Sequence, residues 1–354
     1  MAIDKALGTE NDPDIIDQNR SIEVIPEQSR QEQINDAAQI LVNEEEVLVT
    51  NEIEEQPMPD MAFDSNLVDF IDESELSKLS SDLISSVESD KQSRSEWEKT
   101  YTEGLQYLGM KFDEARSQPF EGSSGVIHPI LAEAVTQFQA QAYKEMLPAK
   151  GPVKTEIIGA RTIETENQAE RVQEFMNYYI MNVMQEYDPE LDMLLFYLPL
   201  AGSAFKKIYF DLVTNKAISK FIAPEDLIVP YEASDMSSAE RITHAISMSL
   251  NEIKKQQVTG FYADVEINDE DYSEDDSDIK TQIDEIQGIE SSYREDRNRT
   301  IYEIHTVLDI EGFEDVDVNG KPTGLKLPYI ITIDEASEAV LSIRRNYLES
   351  DPLK

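Results

Sequence analysis

Between residues 95 and 200 apolar side chains recur at every third or fourth position; from about residue 205 the rhythm shortens to every second one. The first regular stripe is Trp97, Tyr101, Leu105 and Leu108, which share one helical face. Ser95 stands as its cap with Glu98 three residues on, and Gly109 ends it. Ile130, Leu131, Ala134, Val135, Phe138, Ala142 and Met146 form a second stripe up to the breaker Pro148, with Pro129 at its first turn. A third helical region runs from about Glu164 through Ala169, Val172, Phe175, Met176, Tyr179, Ile180, Val183 and Met184. A fourth follows Asp188-Pro189 and carries LDMLLFYLPL. The apolar faces of these two are wide, which predicts deep burial in a core and not a cofactor pocket.

Strand grammar takes over at SAFKKIYFDLV, which pairs through a turn at Thr214-Asn215 with KAISKFI as a hairpin. APEDLIVP follows, and its flanking prolines fit a short or edge strand. AERITHAISMSLNEIKKQQVTG reads as a strand and then a helix. After an acidic tract of 14 carboxylates from Asp264 to Asp296, read as an exposed loop, IYEIHTVLDI, LPYIITID and EAVLSIRRNY give further strands, with Asn319-Gly320 as a hairpin turn. The order predicts an α+β fold, helical first and β-rich second. Its parts are an acidic, largely disordered arm over 1–90, a helical part over 91–200, a hairpin and mixed part over 201–263, the acidic loop over 264–296, and a β-rich part over 297–354.

The arm rests on composition. Its apolar residues gather only in short clusters such as Ile40–Val49 and Leu67–Leu76, and low hydrophobicity with like charge favours disorder. The 354-residue chain has a net charge of −43, unevenly spread. Residues 1–90 carry 24 acidic and 4 basic side chains, residues 91–260 carry 24 and 17, and residues 261–354 carry 25 and 9. A nearly balanced middle between acidic flanks argues against a uniformly salt-adapted coat. It argues equally against a conventional nucleic-acid binder, whose phosphate contacts need clustered lysine and arginine. The start MAIDKALGTENDPD lacks the basic and apolar runs of a signal peptide, and no stretch has the ~18 uninterrupted apolar residues of a membrane span, so a soluble product that stays where it is made is expected.

Candidate chemistry fails at specific residues. There is no cysteine, which removes thiolate nucleophiles, disulfides and cysteine-ligated metals. The loop Gly122-Ser-Ser-Gly125 is followed by Val126, where a phosphate-binding P-loop needs a lysine and then a hydroxyl residue, and its glycines are one residue too close for a nucleophile elbow. It reads as a backbone hinge ahead of a buried structural helix beginning at Pro129. His128, His244 and His305 are dispersed and define no metal site by themselves. The run from Asp269 resembles a calcium loop until Glu274 replaces the turn glycine and Lys280 the bidentate glutamate. No catalytic, cofactor-binding or metal-ligating residue is therefore assigned, no cofactor is expected, and a non-enzymatic protein is expected.

Three segments carry a family resemblance. LQYLGMKFDEARSQPFEGSSGVIHPILAEAVTQFQAQAYKEMLPAKGPVKTEIIG, RVQEFMNYYIMNVMQEYDPELDMLLFYLPLAGSAFKKIYFD and SKFIAPEDLIVPYEASDMSSAERITH together resemble the portal, or head-to-tail connector, proteins of tailed bacteriophages. The likeness covers about residues 95–262, resumes near IRRNYLESDPLK, and rests on loop, helix and hairpin segments in the same order and spacing. It implies a portal-type fold and a subunit of a homo-oligomeric ring, typically twelve-fold, at one capsid vertex of the virion, assembled in the host cytoplasm. Double-stranded DNA passes through the channel without sequence preference; the terminase motor, capsid, scaffolding and tail or adaptor proteins are the implied partners. Family members are commonly about twice this length, so the resemblance also implies an N-terminal part, with portions of stem and clip and all of the crown missing or displaced. An acidic surface fits a channel that must not grip phosphates. The rival readings are an acidic scaffolding or interaction protein without a ring, and a hydrolase using carboxylate-bound metal.

Overall fold

A computed structural model describes residues 62–109, 120, 122, 128–211, 215–267, 279–280, 283, 286, 298–316 and 321–348. Its described elements are mixed α and β, helices first and antiparallel sheets after.

The first helix, α1 (Glu73–Ser93), has Glu73 and Glu75 in its first turn and Lys91 in its last, each of the sign the helix dipole favours there. Leu76, Leu79, Leu83, Ile84 and Val87 recur at helical spacing, and Leu83, Ile84 and Val87 are buried. They pack, with Leu67 and Val68 of a preceding 3-10 turn, on one face of a five-stranded antiparallel sheet. That sheet runs β3 (Leu227–Ile228), β4 (Arg241–Met248), β5 (Arg299–Leu308), β6 (Leu327–Asp334) and β7 (Val340–Arg345), in chain order. Tyr302, Ile304, Tyr329, Ile331, Ile333 and Ile343 are the sheet's contribution to this core. As expected from its prolines, β3 is short and lies at an edge.

For its last part this corrects the expectation of a largely disordered arm over 1–90, because residues 67–90 belong to the central core; residues 1–61 lie outside the described residues. Averaging over a 90-residue acidic window hid a clean helical stripe. Residues 63–66 also close the outer edge of β7. Asn66 donates to the Leu341 carbonyl at 3.1 Å and accepts from Ile343 N at 2.9 Å, while Arg344 and Arg345 bind the carbonyls of Asp64 and Phe63. A chain beginning after Asp90 is expected to show no cooperative thermal transition, and Leu83→Ala is expected to cost about 2–5 kcal/mol in urea unfolding.

Arg94 joins α1 to α2 (Ser95–Gly109). Its guanidinium reaches the carbonyls of Leu227 and Glu225, each at 2.8 Å, and pairs with Glu98 at 2.9 Å, which fastens the helix junction to the sheet edge. Ser95 lies inside the helix and is not its cap; Glu98 is used by Arg94 instead. The expected face of α2 holds: Tyr101 and Leu105 are buried, with Trp97 and Leu108 packed against them. Trp97 stacks on Tyr101 and donates to the Ala201 carbonyl at 3.0 Å.

Ile279 is buried in this same cluster, with Ile283 and Ile286 packed beside it. That part of the acidic tract is therefore not an exposed loop. Isoleucines at i, i+4 and i+7 are a helical stripe that the surrounding carboxylates concealed.

The remaining elements are α3 (Ile130–Met146), α4 (Ile163–Tyr178), a π-helical turn (Tyr179–Val183), α5 (Tyr187–Ala201) and a separate two-stranded hairpin of β1 (Phe205–Asp211) and β2 (Lys216–Ile222). α6 (Leu250–Val258) follows β4 and packs Ile253 against Ile301, Leu341 and Tyr262 on the sheet's second face. Pro129 sits directly ahead of α3, not inside its first turn. No helix among the described residues is long and apolar enough to cross a membrane.

Candidate functional site

The helical stripes form where the sequence places them, but among the described residues those of α3 and α4 stay largely uncovered. α3 buries only Val135 and leaves Ile130, Phe138 and Met146 exposed. α4 buries no residue at all: Ile163 is 81% exposed, Phe175 60%, Tyr178 60% and Val172 47%. α5 buries Leu191, Leu195 and Ala201 yet exposes Met193, and Ile208 and Phe210 stand exposed on β1. Among the described residues this corrects the expectation of burial for α3 and α4, whereas α5 holds Leu191, Leu195 and Ala201 in the interior as expected. Periodicity shows that an apolar face exists; it does not say whether the covering surface is in the same chain.

Local rules alone explain why α4 forms. Thr162 and Thr165 make a reciprocal capping box, the Thr162 hydroxyl accepting from Thr165 N and the Thr165 hydroxyl from Thr162 N. An extended strap lies along the helix. Val153 exchanges two hydrogen bonds with the Asn177 side chain, and Thr155 N donates to Gln173. At the strap's start Gly151 has φ +92°, and a Cβ there would meet the Asn177 side chain at 2.3 Å, so only glycine fits. Apart from the strap and the π-helical turn that continues it, α4 packs closely on no other helix or strand among the described residues. A 16-residue helix is near the length at which isolated helices are marginal in water.

Val172, Phe175, Met176 and Tyr179 fall on one face, whereas Glu164, Asn167, Glu170, Arg171 and Glu174 line another. Three of these, Val172, Phe175 and Met176, stand exposed on a helix that packs closely on no other helix or strand among the described residues, and such a face marks an association surface. Exposed apolar residues on α3 and β1 supply further patches.

Gly122 is exposed with φ +87°, a conformation suited to glycine, while residues 123–127 lie outside the described residues, as do Asn319-Gly320 and most of the run from Asp269. His128 is exposed ahead of α3. His244 and His305, dispersed in sequence, are brought together by the register of β4 and β5, in which His244 faces Glu303. The Glu303 carboxylate accepts from Lys207 of β1 and lies 3.0 Å from His305 Nε2. Among the described residues no three histidine, aspartate or glutamate side chains are grouped to hold a metal.

A second polar site was not legible in sequence. Glu225, whose carbonyl Arg94 holds, lies beside Tyr101 and Asp226, and burial raises its carboxyl to about 7. The folded protein thus keeps Glu225 neutral over a range where the unfolded chain, titrating near 4.5, ionises it. That contribution is lost as pH rises from 4.5 to 7 and stays lost above. Glu225→Gln is expected to stabilise the protein by about 1–3 kcal/mol at pH 8 and by little at pH 4, measured by urea unfolding at both.

No protein-family model matches the chain, and no curated protein matches it either.

Proposed function

We propose that this chain is a structural subunit of a tailed-phage portal ring, a homo-oligomer whose channel passes double-stranded DNA during packaging and ejection and which joins head to tail. The observation that carries the reading is α4, a locally encoded amphipathic helix with no buried residue and an apolar face of Val172, Phe175 and Met176. The occupant that fits this face is a neighbouring copy. α4 and the other exposed apolar residues of α3 and β1 fall in the segment where acidic and basic side chains are nearly balanced, 24 against 17. Copies can meet there without the repulsion that the acidic flanks would impose. The order of loop, helix and hairpin segments that resembles the portal family supports the same reading.

The function is geometric and assigns no catalytic residue. Repeated head-to-tail contact closes a ring, and an acidic surface at the channel would let DNA slide, since lysine and arginine contacts would produce salt-dependent sticking. The terminase motor, capsid, scaffolding and tail or adaptor proteins are the proposed partners, and the unique vertex of the virion the proposed location. Sedimentation velocity at increasing protein concentration tests this. One large discrete species is expected; a chain that stays monomeric or dimeric throughout, or that forms open-ended polymers, would sink the reading.

A further inference from the structure

We propose that Lys207, Glu303 and His244 form a latch between the β1–β2 hairpin and the five-stranded sheet, and that acidification releases it. The proposal stands independently of the ring reading. The hairpin is a separate two-stranded sheet, not a continuation of the larger one. On one side it is held by α5 and the π-helical turn, where Ala217 N donates to the Tyr179 hydroxyl, Lys216 pairs with Glu186 at 3.1 Å and Phe221 packs on Tyr197. On the side of the five-stranded sheet, Lys207 reaches across to Glu303 on the central strand β5.

His244 lies directly opposite Glu303 in the β4–β5 register, and its Nδ1 is buried without a hydrogen bond. The charged and titratable groups facing it are Lys207 from β1, Lys220 from β2, and Glu303 and His305 from β5. Its neighbour across from β3 is the apolar Leu227. Two lysines and one carboxylate already surround the ring, so a proton on His244 adds an uncompensated charge at the joint. Moving the hairpin away would remove both lysines and admit water.

The electrostatics agree in sign. Burial, with Lys207 next, holds His244 down to about 4, whereas a histidine released into water titrates near 6.5. Between those values the docked state refuses a proton that the released state accepts, so falling pH favours release. Glu303 is held down to about 2, where its bonds to His305 and Lys207 outweigh the desolvation that opposes them, so it stays ionised through this window. His244 is then the group that senses pH, and Lys207–Glu303 is the bond that it loosens. From these two values the ratio of released to docked hairpin rises about 30-fold between pH 8 and pH 5.

The chain has no cysteine, so a pair of spin labels can be placed cleanly. Ile208→Cys on β1 and Val307→Cys on β5, both exposed, report the hairpin-to-sheet distance in the full chain by pulsed electron-electron double resonance. A single short distance is expected at pH 8, and a second, longer population at pH 5. His244→Gln should keep the short distance at both pH values, and Glu303→Gln should show the longer population already at pH 8. Identical distributions at pH 8 and pH 5, or an unchanged response to pH in His244→Gln, would overturn the proposal. Should Glu303→Gln fail to fold, the wild-type and His244→Gln comparison decides the matter alone.

Discussion

Val172→Glu combined with Phe175→Glu is expected to abolish assembly while leaving the subunit folded. Both side chains sit on α4, 47% and 60% exposed, and neither belongs to a buried cluster among the described residues. Their loss should therefore move the thermal midpoint of the isolated subunit little. In a contact between copies, each would bury an apolar side chain worth about 1.5–3 kcal/mol. Replacing them by carboxylates removes that gain and forces two charges toward an apolar surface. The combined loss of about 3–6 kcal/mol per contact weakens association by roughly two to four orders of magnitude. Mass photometry of wild type and variant at equal concentration reads this directly. A variant that assembles like wild type would place the interface elsewhere.

The largest single effect on stability is expected at Asp334. Arg299 Nε reaches Asp334 Oδ1 at 2.9 Å and Nη2 reaches Oδ2 at 2.6 Å, with both side chains essentially without solvent contact. Ser337 N adds a third bond to Oδ2 at 3.0 Å, closing the turn between β6 and β7. Asp334→Ala takes from the buried Arg299 guanidinium the carboxylate that it grips with two hydrogen bonds and is expected to cost about 3–5 kcal/mol. Removing both partners is a different matter, because desolvation of the pair offsets much of its attraction. The double variant Arg299→Met with Asp334→Leu should regain most of the loss. A four-member urea-unfolding cycle separates the cases; additive losses in the double variant would contradict this account of the pair.

Much of the architecture was legible because it follows local periodicity. The faces of Trp97–Leu108 and Ile130–Met146, the hairpin around Asn215, the short edge strand at Leu227–Ile228 and the late strands all appear where apolar spacing puts them. What the sequence hid has three physical causes. Composition averaged over a long acidic window masked Leu83, Ile84 and Val87, although their spacing alone marks a buried helix. The same averaging masked Ile279 within the acidic tract. Burial of α3 and α4 was misread because an apolar stripe specifies only that something must cover it, and periodicity is the same for a core and for an interface.

The polar sites were illegible for another reason. His244 and Glu303 are 59 positions apart in the chain, and only the register of β4 with β5 sets them face to face. Glu225 and Tyr101 meet because Arg94 pins the turn before β3 to the junction of α1 and α2. Register and long-range docking carry no periodic signal.

The central claim is that the exposed face of α4 is the place where one copy of the chain meets the next in a closed ring. Electron cryo-microscopy of the full chain at the highest concentration that remains monodisperse tests it most directly. The account predicts annular particles with a central channel, in which Val172, Phe175 and Met176 are buried against a neighbouring subunit. A field of single subunits without annular particles, or rings in which those three side chains still face solvent, would contradict it.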